Sequence, residues 1–394
     1  MKEKQIVIVG AARTPMGGMQ GELGELSAAE LGSVAIRAAV ERAGVSADAV
    51  DELYFGSVVT AGQKQAPARQ ASLGAGLPDS VPCTTINKVC GSSMKAVMIA
   101  HDQLLVGNGE AIVAGGMESM SRTPYLIEKA RQGLRMGHAE LKDSLFLDGL
   151  EDAGSGGLMG SFAQKAADDN QITREAMDAF AVQSLARANQ AITSGWLAGE
   201  IAPVVLKTRQ GERTVAVDEQ PGNARPEKIP HLRPAFKRDG SVTAANASSM
   251  SDGAAALVLM DVSAAATRGL TPLARIVGHA THAQNPSEFT LAPIGAIKKL
   301  LDKTGWKIDD VDLFEINEAF AVVTLLAIDA LGLDPEKVNV NGGACALGHP
   351  LGASGARILV TLLYALRRLG KKRGIATLCL GGGEATAVAI ELID

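Results

Sequence analysis

At 394 residues, 46% hydrophobic and 21% charged, the chain exceeds what one core usually holds, so two or three structural units are expected. A net charge of −5 and only 3% aromatic residues offer nucleic acid neither attraction nor stacking surface, and no apolar run is long enough to span a bilayer. Nucleic-acid binders and membrane spanners are therefore excluded.

Strand Gln5–Gly10 starts close to the first residue, so no cleaved presequence is expected. A dinucleotide fingerprint would need three spaced glycines after it, and only Gly10 is in place. Four cysteines (Cys83, Cys90, Cys345, Cys379) show no Cys-x-x-Cys pair and no zinc-type spacing with histidine. Free thiols, a cytoplasmic location and the absence of a metal site are the expectations.

An amphipathic helix is predicted over Ala28–Ala43, a strand over Val50–Val59 and a further helix around Gln70–Leu73. Asn87-Lys88-Val89-Cys90-Gly91-Ser92-Ser93 then delivers a cysteine to the start of a helix running to Leu105. Unpaired N–H groups and the helix dipole at that point favour a thiolate. A small buried hydrophobe is the alternative reading of Cys90. Glu110–Glu118 is predicted as a buried strand breaking on Gly115-Gly116. Alternating strands and helices of this kind argue for an α/β fold with a largely parallel sheet.

Residues 121–243 change character, with more charge and proline, a helix at Ser161–Ala167 and a clear one at Arg174–Thr193. Scattered cations, among them Arg225 and Lys228, read either as a solvated surface or as a lid meeting a phosphorylated ligand. The apolar style returns at Ala254–Met260, and Leu273–Ala280 opens a second pass.

That pass repeats the first. Gly44, Asp48, Val50 and Asp51 align without gaps on Gly305, Asp309, Val311 and Asp312, and helix Ser92–Leu105 has its counterpart in Ala353–Leu369. Gly115–Glu118 also lines up with Gly381–Glu384. Two homologous halves are expected: residues 1–120 plus 244–270, and 271–394, with 121–243 inserted in the first. Equivalent loops would then meet near one axis. The second half brings Asn317-Glu318-Ala319-Phe320, the glycine-rich loop Gly342–Gly355 with His349, and Cys379 before Gly381-Gly382-Gly383. The loop is no phosphate cradle, because His349-Pro350 stands where Lys-Ser/Thr is required. A histidine beside a thiol is instead the usual means of activating it. Cys83 and Cys345 read as structural.

Asn87–Ala96, Asn317–Phe320, Gly342–Arg357 and Cys379–Gly383, in that order, resemble the thiolases, in particular their acetyl-CoA C-acetyltransferases. The resemblance implies two pseudo-symmetric, five-layered α/β/α/β/α halves with an inserted loop domain, assembled as dimers or tetramers. It implies Cys90 as acyl carrier, His349 as its proton acceptor, and Cys379 as the base at a second acetyl-CoA. Asn317, through a water, and His349 would hold the enolate oxygen. The N–H groups of Cys90 and Gly381 would form the second oxyanion hole. Ser248 matches a position near pantetheine, and the anionic coenzyme A favours Arg225 and Lys228 as docking cations.

Leu158, before Met159, stands where some short-chain enzymes carry histidine, and Phe289 where methionine is common beside the acyl pocket. Ser93 and Cys345 are further departures, and none removes a catalytic group. The implied reaction joins two acetyl-CoA to acetoacetyl-CoA without metal or redox cofactor. A broader 3-ketoacyl-CoA thiolase is the neighbouring alternative. A non-catalytic acyl-CoA-binding relative would have lost Cys90, His349 or Cys379, and all three are present.

Overall fold

A computed structural model describes residues 4–209 and 211–393. Its sheet strands are β1 (Ile6–Arg13), β2 (Glu52–Gly56), β3 (Cys83–Ile86), β4 (Ala111–Ser119), β5 (Ser251–Asp261), β6 (Ala274–Ala283), β7 (Leu313–Ile316), β8 (Arg373–Leu380) and β9 (Glu384–Leu392). The helices that matter here are α1 (Ala28–Ala43), α2 (Pro67–Ala75), α3 (Ser92–Val106), α4 (Met159–Asp169), α5 (Arg174–Thr193), α6 (Ala292–Thr304), α7 (Ala321–Leu331) and α8 (Ser354–Leu369).

Local signals place these elements. The Ser27 hydroxyl accepts the N–H of Glu30, whose carboxylate accepts the N–H of Ser27, so a capping box starts α1. Gly44, at φ 67°, ends it. Leu31, Ala35, Ile36 and Ala39 form the stripe that α1 buries against Val7, Val9 and Val258 of the sheet.

Strand order gives the halves away. The first reads β3-β2-β4-β5-β1 and the second β7-β8-β9-β6. In the second, Val338 bridges Phe314 in parallel, occupying the place that β3 takes beside β2. β1 and β6 join the two, with Val7 opposite Arg275 and Ile8 opposite Ala274. Helices α1 and α2 cover one face of the first sheet. Helices α3 and α8 lie between the two sheets, and α6 covers the outer face of the second. Five layers result, with the central helical layer shared by both halves.

The repeat extends to individual hydrogen bonds. Asp51 Oδ2 accepts the N–H groups of Glu110 and Ala111 at 2.6 and 2.9 Å. Asp312 Oδ2 accepts those of Lys372 and Arg373, both at 2.9 Å. These pairs set Ala111 opposite Arg373 in the repeat, so Gly116 corresponds to Leu378 and Met117 to Cys379. The alignment of Gly115–Glu118 on Gly381–Glu384 is therefore out of register. Strand β4 does not break at its glycines but runs on to Ser119. A Cβ on Gly116 would lie 2.0 Å from the carbonyl oxygen of Gly352, so glycine is required there by the close approach of the second half's loop.

Residues 121–243 hold α4, α5 and the hairpin Val204–Thr208/Gly211–Val215. A buried ion cluster ties this segment to β1. Arg13 Nε donates to Glu200 at 2.6 Å, and its two terminal nitrogens reach the carboxylate of Asp218 at 2.6 and 2.9 Å. Helix α4 packs with Phe289 and with Ala319 and Val322 of the second half. The insertion thus touches both halves around the strand ends.

Candidate active site

Strand β3 leads into the turn Asn87-Lys88-Val89-Cys90. Val89 adopts φ +47°, a conformation that β-branched residues rarely hold. Several bonds enforce it. Asn87 Oδ1 accepts the N–H of Val89, Asn87 Nδ2 donates to the carbonyl of Val58, and the Ser92 hydroxyl donates to the carbonyl of Val89 at 2.6 Å. Cys90 is thereby held just before α3.

Cys90 lines a cavity of about 490 Å³ together with His349, Cys379, Leu380 and Gly381. Ser248, Leu158, Met159 and Phe289 line it too, as do Phe236, Phe320 and Met250. The sequence-predicted residues from both halves therefore meet in one place. Asn317 reaches this group through His349, its Nδ2 lying 3.5 Å from His349 Nε2. Arg225 and Lys228 do not line the cavity; both are exposed on the inserted segment.

Cys90 is half-buried on the cavity wall, and burial pushes its thiol up to about 12, with the carboxylate of Glu118 adding to the rise. The N–H groups of Gly381 and of Cys90 itself point at the sulfur and oppose the shift without cancelling it. The helix start was expected to favour a thiolate, and desolvation acts here in the opposite direction. Cys379, fully buried, has its thiol raised by burial and by its proximity to Cys90. His349 is pushed down to about 3 by burial and by Arg357, which makes it a neutral imidazole. The resting site holds two thiols and a neutral base.

His349 sits on the glycine-rich loop as its N–H bonds to the carbonyl of Ser249 at 3.1 Å. Gly348 precedes it at φ +102°, where a Cβ would meet the Ser251 hydroxyl at 2.1 Å. Two residues that sequence reasoning missed shape the site. The first is Ser354, whose Oγ lies 2.6 Å from His349 Nδ1 and 2.9 Å from the carbonyl oxygen of Pro350. The only sequence signal was a hydroxyl five residues after the histidine. The second is Glu118, fully buried, which accepts the N–H groups of Val58, Val59 and Gly352 at 3.0, 3.3 and 2.9 Å. It joins the first half's strand end to the loop behind His349.

Glu318 performs a similar task one layer away. It accepts from Ser184, Asn339 and the N–H of Cys345 at 2.7, 2.8 and 3.0 Å, which fixes the start of the glycine-rich loop. Ser248 donates its hydroxyl to the carbonyl of Ala319 at 3.0 Å, and so lines the cavity with its hydrogen already engaged. A buried thiol, a neutral imidazole whose ring is oriented, a second thiol and two convergent N–H groups can together carry an acyl group and move protons.

Residues 6–263 match the family description "Thiolase, N-terminal domain" and residues 270–392 match "Thiolase, C-terminal domain". Acetyl-CoA acetyltransferase 2 of Arabidopsis thaliana is 51% identical over 393 residues, covering 99% of this chain and 98% of its own length. The acetyl-CoA acetyltransferase of Pseudomonas aeruginosa is 48% identical, over 98% of this chain and 99% of its own. Acetyl-CoA acetyltransferase B, mitochondrial, of Xenopus laevis is 50% identical, over 98% and 92% respectively.

Proposed function

Because this chain belongs to the thiolase family, we propose that it is an acetyl-CoA C-acetyltransferase, joining two acetyl-CoA reversibly into acetoacetyl-CoA and CoA. The observation that carries the reading is the meeting of Cys90, His349, Cys379 and Gly381 on one cavity wall.

Cys90 Sγ attacks the acetyl carbonyl while His349 Nε2 takes the thiol proton and then delivers it to the departing CoA sulfur. Since burial favours the neutral thiol and the neutral imidazole, proton transfer accompanies attack and does not precede it. His349 Nε2 next takes the Cys379 proton, and the resulting thiolate removes an α-proton from a second acetyl-CoA. His349 Nε2–H and Asn317, through a bound water, hold the enolate oxygen. Asn317 Oδ1 finds no partner among the described residues and suits that water. The enolate carbon attacks the acetyl-Cys90 carbonyl, whose developing oxyanion is met by the N–H groups of Cys90 and Gly381. Collapse releases acetoacetyl-CoA and expels the Cys90 thiolate, which takes its proton back from His349 Nε2.

His349 must accept a proton in one half-reaction and donate a hydrogen bond in the other. Ser354 suits both roles. Its hydroxyl donates to Pro350 O while accepting from Nδ1–H, or turns its hydrogen onto Nδ1 and leaves Nε2 protonated.

CoA thioesters are the substrates, and the reaction calls for no metal or redox cofactor. A homo-oligomer, dimer or tetramer, belongs to the same reading, supported by exposed Tyr125, Leu134, Met136 and Leu141 on the inserted segment. A cytoplasmic location is supported by four free cysteines; among the described residues no helix is long and apolar enough to cross a membrane. Leu158 and Phe289 on the cavity wall make chain length the property to test. Thiolysis of 3-ketoacyl-CoA substrates from four to ten carbons should be fastest at four. Rates that climb with length would replace this reading with the broader-chain thiolase.

A further inference from the structure

We infer that His101, Asp102 and His279 form a binding site for a divalent transition-metal ion, zinc being the best match. The inference is independent of the acyl-transfer reading and revises the expectation that the chain has no metal site. Histidine spacing in the sequence could not reveal it, because the ligands come from the two halves. His101 and Asp102 lie on α3 and His279 on β6.

The three side chains converge on one point. Asp102 Oδ1 is 3.0 Å from His101 Nδ1 and 2.8 Å from His279 Nε2. One ligand atom from each residue lies within 4.8 Å of the others. The two rings meet edge to face, centroids 5.1 Å apart at 89°. Both imidazoles are 10% exposed while Asp102 is 53% exposed, so the site has walls of histidine and an open side for entry and a water ligand. Two neutral nitrogens, one carboxylate and an open position form a familiar zinc set. A tetrahedral ion at about 2.0–2.1 Å from each ligand separates ligand atoms by roughly 3.3 Å, so each nitrogen–carboxylate distance has to lengthen by about 0.4 Å.

On binding, each ring shifts its proton to the outer nitrogen, with no net proton released. Lys303 is the opposing charge: its ammonium bonds to the carbonyl of His279 at 3.2 Å and disfavours the ion. Catalysis is remote, since His101 lies eleven residues along the chain from Cys90, about 16 Å at helical rise. An ion here would fasten the central helix of one half to the first strand of the other.

The test uses full-length, chelator-treated protein carrying Cys90→Ser and Cys379→Ser, so that active-site thiolates bind nothing. Titration with Co²⁺ alone should give visible d–d bands saturating at one ion per chain, and Zn²⁺ should displace them. In that background His279→Asn and His101→Ala should each weaken binding at least tenfold, and Lys303→Met should tighten it. A thermal melt of each variant confirms folding. No saturable band, or a band unmoved by both histidine substitutions, overturns the site.

Discussion

Ser354 shows how a single hydroxyl, unremarkable in sequence, acquires a function from its position. It is fully buried and bonded to His349 Nδ1, so Ser354→Ala leaves that nitrogen without a partner in a desolvated pocket. We predict a fall in kcat of about 10- to 100-fold, the cost of one unsatisfied buried hydrogen bond, with KM for acetyl-CoA little changed. Ser354→Thr should restore most of the loss. Equal falls for both variants, or a change confined to KM, would remove Ser354 from the positioning of His349. The proposed nucleophile, Cys90, was only half legible. Its place before a helix was readable from Ser92 and Ser93, but the direction of its pKa was not, because enclosure by distant segments decides it. Likewise Arg225 and Lys228 were chosen for charge alone, and charge does not say which face of an insertion a side chain occupies.

Among the elements, the junction between β4 and the loop before α8 has a measurable electrostatic signature. Burial raises Glu118 from 4.5 to about 7, against the pull of three backbone N–H donors and Ser57. A carboxyl whose folded pKa exceeds its unfolded value contributes stability that is complete below about 4.5 and is lost as pH rises through about 7. The shift corresponds to about 3 kcal/mol. Urea midpoints should therefore decline between those two pH values. Glu118→Gln should flatten that decline, since its amide can still accept from Val58 and Gly352 and donate to Ser57. An unchanged slope in the variant would assign the titration elsewhere. This junction also explains where sequence reading slipped. Gly115-Gly116 and Gly381-Gly382 look alike as text. One pair lies inside a strand to admit Gly352, whereas the other begins the turn that follows Leu380. Only a contact between residues more than two hundred apart tells them apart.

At the scale of the molecule, the repeat was the most informative feature of the sequence, because identical residues perform identical local tasks in both halves. Asp51 and Asp312 each receive two N–H groups from the start of a neighbouring strand, and Gly44 and Gly305 each end a helix in the left-handed conformation. Such local, repeated chemistry is legible. The union of Cys90 with Cys379 and His349 is not local. It follows from stacking two sheets on a shared layer, and the family resemblance supplied what periodicity could not. The central claim is a division of labour, with Cys90 as acyl carrier and Cys379 as proton-transfer group. Incubation with acetyl-CoA alone, followed by intact mass and peptide mapping, tests it most directly in the wild type and in Cys379→Ser. We predict one acetyl group on Cys90 in both proteins, with acetoacetyl-CoA formed by the wild type and almost none by Cys379→Ser. Acetyl on any other residue, or loss of the Cys90 adduct in a folded Cys379→Ser, would contradict the account.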